Sequence, residues 1–397
     1  MKHFKKLIDK TSTSLNASLI IALLFTLPAF IGSPHWLSIF TIALIWAIFA
    51  ISYDIIFGQA GILNFGHTAP FGAAAFVAGY LMYIGLPFIL ALIMGIISGI
   101  AVSVAMGLPV RRVRGVYYAI LTLAFAETIR LSIENLSRYL GVSISVSPGY
   151  PPIVWSTLFY YFNVVITVLL CISIVLGLIS KVTSLSRISI GDLLSALIGV
   201  VVAVVVSLGI ASILSGQILY KFRIITVNFY YLTLIFFLLS YYLAKRIIYS
   251  PVGSVWRAIR ENPIRTEVLG YDTYTYSLYA LAVSGALAGI AGTLFASVTI
   301  INSNTAFSSM NTIIVLLSAI LGGAGTLIGP IIGMLIVQIL RYILASAPLL
   351  SYASMAIIGI IYIIVVLIFP YGIVGTWYFK AIKLRRRIMK ILSTRIK

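Results

Sequence analysis

Four charged side chains share one short segment of this chain. Glu127, Arg130, Glu134 and Arg138 are separated by three, four and four residues, so on an α-helix they form one stripe of alternating charge that can neutralise itself. The stripe either lines a polar pathway, with Glu127 and Arg130 meeting the solute, or marks paired charges where a helix leaves a membrane. We weigh these equally, because ionisable residues at membrane depth are functional by default.

Amide and imidazole groups lie among glycines in FGQAGILNFGHTAPFGAAAFVAGYL, residues 57–81. Glycines break a helix and free peptide groups, which Gln59, Asn64 and His67 can satisfy. Alternatively, the segment is a discontinuous helix beside a transport pathway, where these side chains meet water and solute. We favour the first interpretation for Gln59 and leave both open for Asn64 and His67. The glycines expected to act as hinges or packing positions here are Gly58, Gly61 and Gly66.

The sequence lacks the common patterns of catalysis and metal binding. It has no H-E-x-x-H motif and no Cys/His cluster, and it contains three histidines and one cysteine, so neither a metal site nor acid–base catalysis is expected. It also has no G-x-x-x-x-G-K-[ST] phosphate loop. We therefore expect a protein that is not an enzyme, binds no cofactor and does not hydrolyse ATP itself.

Composition indicates an integral membrane protein. Of 397 residues, 61% are hydrophobic and 9% are charged, and apolar runs recur at roughly the 20 residues that a helix needs to cross the bilayer. We expect an all-α polytopic bundle of about 10–12 transmembrane helices, forming a single domain over residues 1–397. The predicted spans are 15–31, 36–57, 64–84, 86–108, 116–135, 153–180, 190–214, 224–244, 276–300, 311–328, 329–349 and 353–373.

The basic residues predict the orientation of these spans. Most of the 27 lysines and arginines lie in the leader, the alternate loops and the tail at 376–397, as the excess of positive charge in cytoplasmic loops requires. Both termini are therefore expected to be cytoplasmic, with the chain in the plasma membrane. Orientation and attraction to the lipid bilayer account for the net charge of +19, so no nucleic-acid binding is expected.

A long loop at 244–276 falls on the cytoplasmic side and has the pattern of a folded element. Ser254 is expected to cap a short helix, Pro263 to begin a second one, and Gly270 to end it. The first helix carries an apolar ridge, which either seats in a groove of another protein or lies on the membrane surface. The ridge consists of Val255 and Ile259 and is flanked by Arg257, Arg260 and Arg265.

Glycines also recur in the second half of the chain. The pattern G-x-A-G-x-L occurs at 58–63, 289–294 and 322–327, and transporters carry glycine-interrupted segments in corresponding halves. On the helix from 276, three glycines share a face with the spacing that permits close helix contact, so packing is favoured over solute binding. The glycines assigned to packing or hinges are Gly285, Gly289, Gly292, Gly322, Gly323, Gly325 and Gly329.

Six of these segments, in this order, resemble the permease subunits of branched-chain amino acid ABC importers, of the LivM type. They are GQAGILNFGHTAPFGAAAF, YYAILTLAFAETIRL, SPVGSVWRAIRENPIRTEVLGYD, ALAVSGALAGIAGTLFA, LGGAGTLIGPIIG and LIFPYGIVG. The resemblance covers most of residues 45–135 and 230–375. GVSISVSPGYPPI at 141–153 and the apolar region 153–215 depart from the family's pattern, so no role is carried over to them.

The resemblance implies an importer permease that moves branched-chain amino acids by alternating access. It implies three kinds of partner: a homologous LivH-like permease subunit, two cytoplasmic ABC ATPase subunits that hold ATP and Mg, and an extracytoplasmic amino-acid-binding protein. The loop becomes the element that couples to an ATPase, through Arg257, Arg260, Glu261, Arg265, Glu267 and Gly270. The alternatives are an ion-coupled carrier or channel using Glu127 and, within importers, a urea, amide or sugar substrate.

Overall fold

The computed structural model describes residues 34–113, 115–140, 217–346, 354–368, 372–374 and 376. Within them the elements are helical, and no strand occurs in these ranges. The helices are α1 Pro34–Asp54, α2 Thr68–Tyr83, α3 Phe88–Gly107, α4 Val116–Leu140, α5 Gln217–Ile248, α6 Pro251–Glu261, α7 Pro263–Val268, α8 Thr273–Ala296, α9 Ser303–Phe307, α10 Ser309–Gly322, α11 Ile328–Ser346 and α12 Ser354–Ile368.

The chain forms two compact units. One comprises Ile42–Pro151 and Thr233–Lys397, and the other comprises Met1–Thr41 and Pro152–Leu232. The contacts described below lie within the first unit. The predicted spans 15–31, 153–180 and 190–214, the basic tail beyond 376 and the side chain of Arg138 lie outside the described residues. The single-domain assignment stays a prediction.

Apolar helices long enough to cross a bilayer confirm the all-α membrane fold. The described residues contain six of them: His35–Gln59, Phe88–Arg111, Val116–Asn135, Phe229–Ile248, Thr273–Val298 and Ser303–Gly322. A shorter apolar helix follows at Ile328–Leu344. The protein is therefore a multi-pass membrane protein.

The first glycine-rich segment interrupts the chain between α1 and α2. After α1 the backbone widens into a π-turn at Ile55–Gln59 and then stays non-helical until Thr68. The helix predicted to begin at residue 64 therefore begins four residues later than expected. Gly61 has φ +72°, which an L side chain rarely adopts. A Cβ at Gly66 would lie 1.9 Å from the Thr122 carbonyl oxygen of α4. The break therefore follows from backbone conformation and from close approach to a neighbouring helix.

Helix α8 packs through its glycine face. A Cβ at Gly289 would lie 2.8 Å from the Ile96 Cα of α3, and one at Gly292 would lie 2.2 Å from the Phe71 carbonyl oxygen of α2. A Cβ at Gly285 would meet the Ser103 side chain at 2.5 Å. Because lipid tails are as apolar as the side chains, close van der Waals contact of this kind stabilises helix pairs in membranes.

The loop between α5 and α8 is folded, and its first helix begins earlier than predicted. Ser250 occupies the N-cap position and Pro251 the first turn of α6, so the expected cap at Ser254 is wrong: the fixed φ of proline sets the start one turn upstream. Pro263 begins α7 as predicted, and Gly270, with φ +90°, follows its end. These two short helices and their flanking turns lie within residues 244–276, which we call the coupling loop after the role that the resemblance implies.

Candidate functional site

A buried carboxylate joins the two glycine-rich segments. Asp54, the last residue of α1, is fully buried. Its Oδ1 accepts a hydrogen bond from the Gly325 backbone N–H at 2.7 Å, and its Oδ2 accepts one from Leu327 N–H at 3.2 Å. Both donors belong to the second glycine segment, between α10 and α11. A buried carboxylate needs such donors to offset the loss of water, so Asp54 fixes these two segments against each other.

Gln59 makes a second connection at the same place. Its Nε2 donates to the Gly325 carbonyl oxygen at 2.8 Å, so the backbone of Gly325 is bonded on both its N–H and its C=O. A Cβ at Gly58 would lie 2.0 Å from Asp54 Oδ1 and 2.5 Å from Gly325 N. We call Asp54, Gly58, Gln59, Gly325 and Leu327 the glycine junction. Gln59 thus makes a structural bond of the kind favoured from sequence, and its pathway role stays a prediction.

Leu327 adopts an unusual backbone conformation in the junction. Its φ is 61°, the one positive φ among non-glycine residues of the described ranges, while its side chain is buried. An L residue in this region costs free energy through contact of its Cβ with the backbone. The hydrogen bond from its N–H to Asp54 is among the contacts that hold it there.

Arg260 connects the coupling loop to the glycine junction. Its Nη1 donates to the Gly58 carbonyl oxygen. A Cβ at Gly61 would lie 2.8 Å from Arg260 Cγ. Arg260 is exposed, as expected for a residue that flanks the ridge, and its guanidinium also reaches a carbonyl acceptor at the end of the interrupted helix.

The prediction that Val255 and Ile259 form an outward-facing ridge on α6 is wrong. Val255 and Ile259 are buried, as is Trp256, whose Nε1 donates to the Tyr276 carbonyl oxygen at 2.8 Å. The amphipathic pattern of α6 thus serves packing within the chain.

Exposed apolar side chains occur instead on α7 and just after it. We call Ile264, Val268 and Leu269 the α7 ridge; they are 69%, 82% and 73% exposed. Arg265 is also exposed and lies between them in sequence. Glu261 ends α6 with an exposed side chain. The α7 ridge is therefore the apolar surface that the coupling loop presents outward.

The remaining polar residues of the coupling loop hold its shape. Arg257 donates from Nη1 to the Ile248 carbonyl oxygen at the end of α5, at 2.9 Å, and from Nη2 to Ser254 Oγ at 3.1 Å. Glu267 accepts a hydrogen bond from the Thr273 hydroxyl at the start of α8. These contacts tie both short helices to the two flanking membrane helices.

Helix α8 is capped by a carboxylate outside the membrane-spanning segments. Asp272 Oδ1 accepts from the Tyr274 N–H at 3.1 Å. The Thr275 hydroxyl donates to the other carboxylate oxygen and holds the pKa of Asp272 below its usual range. This exposed, ionised cap is a useful contrast to the buried Asp54.

His67 is buried at the start of α2, and its surroundings determine its tautomer. Its Nε2 lies 2.9 Å from Ser52 Oγ and 3.3 Å from Ser284 Oγ. Both hydroxyl hydrogens are already used, because Ser52 donates to the Phe49 carbonyl and Ser284 donates to the Ser52 carbonyl. Nε2 must therefore carry the proton, which leaves Nδ1 as an acceptor.

Two buried polar atoms in this segment have no protein partner within the described residues. They are His67 Nδ1, an acceptor, and Asn64 Nδ2, a donor. The other amide atom of Asn64 accepts from the Gly66 N–H at 2.8 Å and so shapes the turn. One half of each side chain is thus structural, and the other half is available to water or to a ligand.

Three of the four charged side chains of the stripe on α4 are paired within the chain: Glu127, Arg130 and Glu134. Arg130 Nε lies 2.6 Å from Glu127 Oε2, and Arg130 Nη1 lies 3.1 Å from Glu134 Oε2. The Ser309 hydroxyl donates to Glu127, and Arg130 Nη1 donates to Asn304 Oδ1 at 3.2 Å. These partners lie at the starts of α10 and α9. These paired side chains connect α4 to the segment around 303–309, apart from the glycine junction.

The second glycine segment turns tightly on itself. A Cβ at Gly322 would lie 1.7 Å from the Gly329 carbonyl oxygen, and one at Gly329 would lie 2.5 Å from the Gly323 carbonyl oxygen. The glycine of LIFPYGIVG reaches the same place, because a Cβ at Gly372 would lie 2.4 Å from Gly323 N. Because Gly58 also lies against Gly325, three of the quoted motifs meet here: GQAGILNFGHTAPFGAAAF, LGGAGTLIGPIIG and LIFPYGIVG.

Sequence reasoning missed Asp54, Ser52 and Ser284. Asp54 lies in the predicted span 36–57, and an acid inside an apolar span, four residues before a glycine, was a usable signal. Ser52 and Ser284 gave no such signal, since serine is common in membrane helices and hydrogen-bonds its own backbone.

The described geometry defines a class of protein: a multi-pass membrane protein with interrupted helices and a folded loop anchored to the interruption. The sequence model of the branched-chain amino acid transport system / permease component family matches residues 35–366. The chain belongs to this family, as the motif resemblance predicted. It is therefore a permease component, and the ion-coupled alternative is not favoured.

Individual relatives agree with the family assignment. The high-affinity branched-chain amino acid transport system permease protein LivM of Salmonella typhimurium is 26% identical over 365 residues, 92% of this chain and 75% of the relative. LivM of Escherichia coli is 25% identical over 345 residues, 87% and 71% of the two chains. The probable branched-chain amino acid transport permease protein LivH of Methanocaldococcus jannaschii is 33% identical over 149 residues, 36% and 44% of the two chains. No solved structure matches the chain significantly.

Proposed function

We propose that this permease moves branched-chain amino acids, or related hydrophobic amino acids, inward across the plasma membrane by alternating access. The observation that carries the proposal is the bond from Arg260 to the interrupted helix, because an importer needs a loop that can pass movement from an ATPase to the membrane helices. The family and the two LivM relatives support the substrate class.

The working complex contains a LivH-like permease subunit, two cytoplasmic ABC ATPase subunits and an extracytoplasmic binding protein. ATP and Mg are held by the ATPases, and this subunit binds no cofactor. The α7 ridge supports an ATPase contact, since three exposed apolar side chains on a short, anchored helix suit a hydrophobic groove. Both termini, including the basic tail, lie in the cytoplasm.

Asn64 and His67 are the pathway residues with the best support. An amino acid offers ammonium donors and carboxylate acceptors, and the free Asn64 Nδ2 and His67 Nδ1 can satisfy one group of each kind. Glu127 and Arg130 are a second polar position, on α4 beside the start of α10. Neither position requires covalent chemistry.

Reconstitution of the complete importer in proteoliposomes tests this proposal. Leucine, isoleucine or valine delivered by the binding protein should stimulate ATP hydrolysis and ATP-dependent uptake. Stimulation by urea, a short amide or a sugar alone would refute the amino-acid assignment and leave an importer. Uptake driven by an ion gradient without the ATPases would refute the importer itself.

The α7 ridge gives the partner arm of the same experiment. The double variant Ile264→Glu/Leu269→Glu should lose copurification with the ATPase subunits, because two charges in a hydrophobic interface cannot be solvated. Tyr83→Glu is the matched control, since Tyr83 is 72% exposed and ends α2 in the turn before α3, away from the coupling loop. Unchanged copurification of the double variant would exclude the α7 ridge as the ATPase contact.

A further inference from the structure

The contact between the coupling loop and the membrane helices is concentrated on one side chain. The Arg260 guanidinium donates to the Gly58 carbonyl oxygen, and a Cβ at Gly325 would meet Arg260 Nη1 at 2.8 Å and Gly58 O at 2.9 Å. One charged group thus touches both glycine segments, which are 267 residues apart in sequence. The buried Trp256 anchors α6 to α8 through its bond to the Tyr276 carbonyl oxygen. We therefore expect α6 and Arg260 to move together.

The glycine junction is packed too tightly to absorb a displacement of Arg260. Gly325 N–H is bonded to Asp54 and Gly325 C=O to Gln59. Gly58 has no room for a Cβ, because Asp54 Oδ1 would lie 2.0 Å from it. A displacement of the Gly58 carbonyl must therefore displace Asp54, and through Asp54 the segment at 325–327. Packed elements pass on displacements in steps because they cannot deform continuously.

A cavity lies beside Arg260. It has a volume of about 190 Å³, and Arg260, Gly61, Arg111 and Tyr274 are in its walls. Arg260 therefore borders space as well as contacting the glycine junction, so its bond to Gly58 can be made or broken without displacing a packed neighbour.

We propose that Arg260 is a positioning residue that links movement of the coupling loop to both glycine segments, so that making and breaking its bond to Gly58 couples ATP hydrolysis to transport. The inference rests on the proposed function and deepens it. It differs from docking: the α7 ridge recruits the ATPase, and Arg260 passes the movement inward.

The test separates coupling from assembly in the reconstituted importer. Arg260→Ala should copurify with the ATPases as the wild type does and hydrolyse ATP at the basal rate. Uptake per ATP hydrolysed, and the stimulation of hydrolysis by loaded binding protein, should each fall by about tenfold, the equilibrium change expected for loss of one charge-assisted hydrogen bond. Arg260→Lys should recover part of the ratio, because it keeps the charge without the planar guanidinium.

Two further variants keep the result interpretable. Arg112→Ala removes an exposed positive charge from the turn between α3 and α4, outside the coupling loop, and should leave uptake per ATP unchanged. Gln59→Met removes the bond to Gly325 from the other side at similar volume and should also lower uptake per ATP. If Arg260→Ala does not assemble, Gln59→Met and Arg260→Lys provide the ratio in its place.

The outcomes are distinct. A wild-type importer without amino-acid-stimulated uptake would refute the proposed function. The linking role alone would be refuted if the wild type works and uptake per ATP in Arg260→Ala is within twofold of that in Arg112→Ala. If Arg260→Ala does not assemble, Gln59→Met and Arg260→Lys are compared with Arg112→Ala instead. Loss of basal hydrolysis in proportion to uptake, with no change in their ratio, would also refute it, because the residue would then act on assembly or fold.

Discussion

Removal of the Asp54 carboxylate is expected to loosen the two glycine segments. Asp54 accepts hydrogen bonds from the Gly325 and Leu327 N–H groups at 2.7 and 3.2 Å. In Asp54→Asn the amide oxygen can accept one of them, while the amide nitrogen faces the other donor. One buried N–H is then unsatisfied, at a cost of about 1–3 kcal/mol. In Asp54→Ala both are unsatisfied, so the cost is about 2–6 kcal/mol.

The free energy of unfolding should be measured by denaturation of the purified protein in mixed micelles. Trp46 and Trp256 are buried and provide the fluorescence signal. Asp272→Asn is the matched control, because Asp272 is an exposed N-cap and asparagine is an equally good cap. The predicted order of stability is wild type and Asp272→Asn, then Asp54→Asn, then Asp54→Ala. If Asp54→Ala is as stable as Asp54→Asn, or both equal the control, the proposed bonding of the two segments is wrong.

Two other substitutions test the packing face and the charged stripe. Gly292→Ala should destabilise the protein by about 1–3 kcal/mol through overpacking, because its Cβ would lie 2.2 Å from the Phe71 carbonyl oxygen; Gly359→Ala is its control, since a Cβ there meets nothing within 4 Å. A stable Gly292→Ala protein would contradict the described α2–α8 contact. Glu127→Gln should change stability by at most about 1 kcal/mol, as for partly exposed ion pairs, and should leave uptake dependent on ATP. Loss of coupling to a proton or sodium gradient in this variant would support the ion-coupled alternative instead.

The helices of the first unit were predictable because length and hydropathy determine them. The predicted spans 116–135 and 276–300 correspond to α4 and α8, and the glycine face of α8 followed from spacing alone. The interruption near Gly61 was also predictable, since glycine permits the left-handed backbone that the turn requires. These features depend on local sequence or on a single periodic pattern.

The direction of side chains in the coupling loop was not predictable in the same way. Val255 and Ile259 have the amphipathic pattern that suits either an outward ridge or an inward contact, and only the packing of Trp256 decides between them. Arg260 is exposed, as an arginine is expected to be. Its bond to the interrupted helix depends on a carbonyl 202 residues away, and one sequence contains no record of that contact.

The backbone conformation of Leu327 stores conformational strain in the glycine junction. A leucine at φ 61° costs about 1–2 kcal/mol relative to an ordinary conformation, and this cost is borne only while contacts such as that with Asp54 keep the segment in place. When the junction opens, the backbone can relax, and the relaxation offsets part of the free energy needed to break the bonds. Opening the glycine junction therefore requires less free energy than the loss of its hydrogen bonds alone would suggest.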